Sequence, residues 1–136
     1  MKISIIDLRK LTGSSSAAIL MFQLEYWFSV YRDGFSKYLE APSSPDYSHS
    51  SLINRESWTE ELAFGKDEFR AAFDLIGTRF NSKTQYEKAV QSGDKFKDKF
   101  YLSYFDRRTG LTYYLRNHDK LDPLAMKLAI AASTKY

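Results

Sequence analysis

Between Ser15 and Arg32 the apolar positions step by three and four: Leu20, Leu24, Trp27, Phe28 and Tyr31 share one face of a predicted helix. Ile19, Phe22, Tyr26 and Val30 carry apolar character around much of the rest of its circumference. Such a helix is either central to the fold or shared with another subunit. Ahead of it, Ile5, Ile6, Leu8 and Leu11 form a short mixed pattern, closed by "TGSSS", a breaker followed by hydroxyl residues able to cap a helix. After it, "APSSPDYSHSS" (41–51) is a loop by composition, and "SLINR" predicts a short strand.

Trp58 and Leu62 lie four apart on one face of a second helix, Phe64 falls in a turn with Gly65, and Phe69, Phe73 and Ile76 form the buried stripe of a third. Ser57 and Glu60 have the spacing of a capping box. Residues 81–99 are polar, with a solvated helix expected near 83–91 and a Ser-Gly-Asp turn behind it. The clearest local signal follows: "KFYLSYF" and "LTYYLRN" flank "DRRTG", two aromatic and β-branched runs around a Gly-containing turn, the mark of a β-hairpin. "LDPLAMKLAIAASTKY" predicts a terminal helix with Asp122 as cap and Pro123 in its first turn.

The segment 58–76 resembles the helix-turn-helix of bacterial and phage regulators, and the hairpin with Arg107 and Arg108 at its tip looks like the wing of a winged-helix domain. The wider order, an aromatic helix before "W-x-x-E-L", a further helix and a Tyr-rich strand, is similar to winged-helix proteins of phage and plasmid replication or regulatory modules. The resemblance implies a mainly α fold with a small β-hairpin: a winged helix-turn-helix with additional N- and C-terminal helices. It implies one domain over 1–136, the helix-turn-helix at about 56–80 and the wing at about 99–117. Three positions depart from the pattern: Ala63 replaces a common turn glycine, Gly65 stands where Ser or Thr usually caps the recognition helix, and "GTRFNSK" blurs the usual exit from that helix.

Composition narrows the chemistry. A chain of 136 residues is the size of one ordinary domain, and 43% hydrophobic with 16% aromatic content argues against disorder. The chain has no cysteine, so disulfides, thiolate catalysis and Cys-ligated zinc are excluded. The longest apolar stretch, 17–31, is interrupted by Gln23 and Glu25 and falls short of a membrane span. The start "MKISIIDLRKL" lacks the features of a signal peptide, so a cytoplasmic location is expected. The net charge of +3 is unevenly spread: residues 1–53 balance, 54–80 carry −2 and 81–136 carry +5. A polyanion would meet the second half.

The resemblance places the N-terminal part of the third helix in a DNA groove, with Lys66, Asp67, Glu68, Arg70, Ala71 and Asp74 exposed. Only Lys66 and Arg70 are obvious donors there, and adjacent acids repel phosphate. The candidate nucleic-acid contacts are therefore Lys66 and Arg70, the tip residues Arg107, Arg108 and Thr109, and Lys95, Lys97 and Lys99 before the hairpin. Tyr101, Tyr104, Tyr113 and Tyr114 interleave with these charges, which suits single strands as well as duplex. The expected partner is DNA, double- or single-stranded, in replication or transcription control. The alternative is a phage protein that binds a host defence complex such as a CRISPR effector through Asp67, Glu68 and Asp74. His49 and His118 lack a catalytic setting, and no phosphate loop, dinucleotide fingerprint or zinc spacing occurs, so no enzyme activity, cofactor or metal is expected. A homodimer through residues 17–31 or 123–132 is a further expectation.

Overall fold

The computed structural model describes residues 3–53 and 55–134, with side chains through Met126. Two capped helices open the chain: α1 (Ile5–Thr12) and α2 (Ser15–Val30), where the Ser14 hydroxyl accepts the Ala17 N–H at 3.2 Å. Helix α2 buries Ala17, Leu20, Met21, Leu24, Trp27 and Phe28, whereas Ile19, Phe22, Tyr26 and Val30 stay exposed. Its second apolar stripe thus faces away from the core.

Next come β1 (Phe35–Ser36), α3 (Trp58–Leu62), α4 (Lys66–Ile76), β2 (Gly77–Phe80), α5 (Lys83–Ser92), β3 (Tyr101–Asp106), β4 (Leu111–Arg116) and α6 (His118–Thr134). The four strands form one sheet in the order β1-β4-β3-β2, with β2 parallel to β3 and the other pairs antiparallel. This corrects the expected mainly α fold with a small hairpin and its winged helix-turn-helix assignment: the chain is α/β, with a mixed sheet. The hairpin is present, with Tyr104 opposite Tyr113, but it forms the centre of the sheet and is flanked on both sides.

The segments that the sequence reading missed explain the difference. "GTRF" is too short and polar to signal a strand, yet it leaves α4 directly because Gly77 has no Cβ; one would sit 2.6 Å from the Phe73 ring. A parallel strand needs a crossover, and α5 supplies it, packing Ala89 and Tyr86 against Phe80, Leu102 and Tyr104. On the far edge, "SLINR" contributes only a single bridge, Leu52 to Ser36, and the short strand is Phe35–Ser36 instead. At the C-terminal end α6 starts before Asp122, with the Asn117 side chain accepting the Lys120 N–H at 3.3 Å and Pro123 inside the helix.

Alternation along β3 and β4 sorts the core into two layers. Tyr101, Ser103 and Tyr114 face α2 and α4, while Leu102, Tyr104, Tyr113 and Leu115 face the side of α5. Trp58, Phe64, Phe69, Phe73 and Ile76 meet in the larger cluster with Leu62 packed against it, so the apolar spacing of 58–76 does converge in one interior.

Helix α3 has five residues, far too few to be stable alone. Its first N–H groups are taken by the chain that follows β1: Trp58 N–H donates to the Tyr38 carbonyl at 2.9 Å and Thr59 N–H to that of Leu39 at 3.0 Å. The expected capping box is present, with Glu60 Oε1 accepting the Ser57 N–H at 3.2 Å and the Ser57 hydroxyl at 2.6 Å, bonds that hold the Glu60 carboxyl below its ordinary range. Beyond the helix, Ala63 adopts φ 56°, the left-handed conformation that favours glycine. Ala63→Gly is expected to stabilise the fold by about 1 kcal/mol, raising the melting temperature by roughly 3–5 °C in calorimetry. An unchanged or lower midpoint contradicts the strained corner.

Candidate nucleic-acid interface

The chain direction decides which candidate residues can act together. Helix α4 begins at the hairpin-tip end of the sheet and finishes at its other end, where the Phe100 N–H donates to the Ile76 carbonyl at 3.0 Å. Lys66, Phe105 and Gly110 line one shallow cleft of about 240 Å³. Arg70, Arg79, Phe105 and Thr112 line a second, of about 270 Å³, which shares Leu39, Phe105 and Thr112 with the first. The α4 flank and the hairpin therefore present two adjoining clefts that share these three residues.

Asp106 builds the hairpin tip. Its backbone carbonyl accepts the Gly110 N–H at 2.8 Å, its carboxylate accepts the Arg108 N–H at 3.0 Å, and Gly110 turns the chain at φ 70°. Thr109 spends its hydroxyl inside the turn, donating to the Asp106 carbonyl at 3.4 Å and accepting the Leu111 N–H at 3.3 Å, so it holds the loop together. Arg107 and Arg108 are exposed, and among the described residues neither is in an ion pair.

The other basic groups near this groove already face acids. Lys66 lies 3.8 Å from Glu40, Arg70 lies 3.8 Å from Asp67, and Arg79 forms a two-pronged bond to Asp74 at 2.7 and 2.8 Å. The Asp74 carboxylate raises the Arg79 guanidinium above its ordinary value. Asp67 and Glu68 have a local role as well: Gly65 offers no side-chain cap, and two carboxylates in the first turn complement the N–H groups and dipole of α4. Glu68 also accepts the Ser16 hydroxyl at 3.2 Å, tying α4 to α2.

Lys95, Lys97 and Lys99 sit apart from the hairpin tip. They precede β3, whose six residues separate them from the tip by roughly 17–20 Å. Lys95 lies over the Phe96 ring, Lys97 over Phe80, and Lys99 donates to the Asp74 carbonyl at 3.4 Å. The tyrosines divide likewise. Tyr101 and Tyr114 are core residues, while Tyr86, Tyr104 and Tyr113 stack on the opposite face, where burial and the neighbouring Tyr86 and Tyr113 rings push the Tyr104 phenol up to about 12.

Two polar networks hold these parts and have no signature in the sequence pattern. Lys37, with its side chain 1% exposed, pairs with Glu61 at 2.7 Å, donates to the Glu56 carbonyl, and lies 5.0 Å from the ring centres of both Trp27 and Trp58. Glu61 also accepts from Gln23 at 2.6 Å and from the Trp27 indole at 2.9 Å. In the second network Arg116 binds Glu25 at 2.8 Å and Asp122 at 2.6 Å, and Asp122 takes a further bond of 2.6 Å from Arg32. Arg116 also approaches His118 Nδ1 at 2.8 Å; since a guanidinium cannot accept, that nitrogen accepts and Nε2–H donates to the Arg32 carbonyl at 3.0 Å. His118 is thus a brace between β4, α6 and the chain just after α2. His49 lies in the 41–51 loop, outside any helix or strand.

Among the described residues no three His, Asp or Glu side chains are placed to hold a metal ion, and no helix is long and apolar enough to cross a membrane. No family model, curated protein or solved structure matches the chain.

The second network has a pH signature. Bonds from Arg116 and then Arg32 hold the Asp122 carboxyl down at about 2, against an ordinary value of 3.8. A depressed carboxylate stabilises the fold above its unfolded value, and that contribution is lost as pH falls from about 4 to about 2. Because the side chain is 47% exposed, the effect is on the order of 1 kcal/mol after solvent screening. Urea melts are expected to show Asp122→Asn less stable than the parent at pH 6, with the difference vanishing near pH 2. A constant difference across that window contradicts the pairing.

Proposed function

We propose that the protein binds nucleic acid through the hairpin tip and the adjoining flank of α4, serving replication or transcription control. The observation that carries this reading is the pair of adjoining clefts that set Lys66 and Arg70 of α4 against the hairpin, whose tip carries two exposed arginines with no ion pair among the described residues. Phosphate contacts supply most of the affinity in such surfaces, and Arg107 and Arg108 are the guanidiniums free to make them. Lys95, Lys97 and Lys99 belong to a separate, peripheral contact at most.

One observation favours a second reading. Asp67 is fully exposed and Asp74 half exposed, so the cations of α4 and β2 on this flank are matched by acids. A surface of mixed charge suits a protein partner with a basic face, engaged by Asp67, Glu68 and Asp74.

Salt-dependent anisotropy titrations separate the two. Arg107→Ala/Arg108→Ala is expected to weaken binding of random-sequence DNA uniformly and to lower the slope of log K against log salt by about 2, one per lost phosphate contact. Lys95→Ala/Lys97→Ala is expected to change the slope by less than about 0.5. Absence of binding at micromolar protein and low salt contradicts the nucleic-acid reading and leaves the protein partner.

A further inference from the structure

The groove between α4 and the sheet has a floor that phosphate binding does not explain. Ser103 lines it from β3; the residue is 4% exposed, and its hydroxyl, which solvent reaches, makes no hydrogen bond with the described residues. A hydroxyl at the base of an open cleft that no protein group engages can exchange its water for a ligand's donor or acceptor. Thr112 on β4 lines the same cleft with its hydroxyl free of partners among the described residues, and the exposed Asn81 side-chain amide is equally free. Over this row of polar groups stands Phe105, 38% exposed, an aromatic side chain that faces both halves of the groove. Arg70 and Arg79 form the rim, both accessible and both positioned by a carboxylate, Asp67 and Asp74.

A planar ring with a hydrogen-bonding edge, attached to an anion, fits each of these features. We propose that the cleft takes one unpaired base of a single-stranded nucleic acid, stacked on Phe105, with its edge on Ser103, Thr112 and Asn81 and its flanking phosphates on Arg70 and Arg79. This rests on the nucleic-acid reading above and deepens it to a preference for single strands. The cleft's volume of about 270 Å³ lies just below the usual range for small-ligand pockets and admits one ring system rather than a duplex edge. Duplex DNA keeps its bases stacked inside, where Phe105 cannot reach them; single strands offer every base a π face. The acids of the first turn of α4, which disfavour insertion into a major groove, are no obstacle to a strand lying across the sheet side.

The test is fluorescence anisotropy with labelled oligonucleotides of about 12 residues: oligo-dT, oligo-U, a duplex of the same length, and an oligo-dT carrying abasic positions. Single strands are expected to bind at least about 10-fold more tightly than duplex, and abasic sites to remove that advantage. Phe105→Leu, which keeps the apolar volume but not the ring, is expected to lose about 5- to 100-fold on single strands and much less on duplex, whereas Phe105→Tyr retains affinity. Preference for oligo-dT or for oligo-U identifies the source of the strand and supports the proposal in either case. Equal affinity for single strand and duplex, or a Leu variant indistinguishable from the parent, overturns this proposal while leaving the nucleic-acid reading in place. No binding of any oligonucleotide overturns both.

Discussion

One buried ammonium organises the corner on which the rest of the molecule is built. Lys37 leaves the end of the β1 edge and reaches inward to the Glu61 carboxylate at 2.7 Å, between the faces of Trp27 and Trp58. A charge taken out of water in this way is tolerable only if its hydrogen bonds and counter-charge are complete. Here they come from α3 and the chain before it, while Gln23 and Trp27 on α2 complete the carboxylate. Removing either charge leaves the other stranded. The network therefore binds α2, the β1 edge and α3, three elements whose own contacts would leave a five-residue helix unsupported.

From that corner the geometry of the groove follows. Helix α3, fixed to the Tyr38 and Leu39 carbonyls, hands over through the left-handed Ala63 to α4, and Phe69 and Phe73 set α4 against Tyr114 of the sheet. Arg70 then faces the strands that carry Ser103, Phe105 and Thr112. Charge along this flank is partly offset by acids, which leaves the hairpin-tip arginines as the groups without an acid partner there among the described residues. The Arg116 network does for the opposite end of the sheet what Lys37 does for the corner, locking α6 and the end of α2 to β4.

The amphipathic spacing of 58–76 and the alternation of 99–117 were legible because both depend on burying one face of a local element. Trp58, Phe69 and Phe73 are buried as that spacing requires, and Ser57–Glu60 caps as its spacing requires, whereas Tyr101 and Tyr114, read as stacking groups beside the cations, lie in the core. The class was misread because the α/β character resides in β2 and α5. Thr78 and Arg79 look like loop residues, and their strand exists only because β3 lies alongside. Helix α5 is polar enough to pass for a solvated surface, and its few anchors, Ala89 and Tyr86, give little periodic signal. The candidate site was half legible. Lys66, Arg70, Arg107 and Arg108 stood out as cations near recognisable motifs, but grouping them with Lys95–Lys99 ignored the length of β3. Ser103, Thr112 and Asn81 have no sequence signature at all, since a polar side chain that no protein group engages is defined by what fails to surround it.

The most direct test of the account is a double-mutant cycle on Lys37→Met and Glu61→Gln, measured by urea unfolding. Each single change is expected to destabilise by about 3 kcal/mol, because it strands a buried charge, and the double mutant to lose less than their sum by more than about 1.5 kcal/mol. Losses that add to within about 0.5 kcal/mol would show that the two groups do not act as a pair, and the corner would then owe its placement to apolar packing alone.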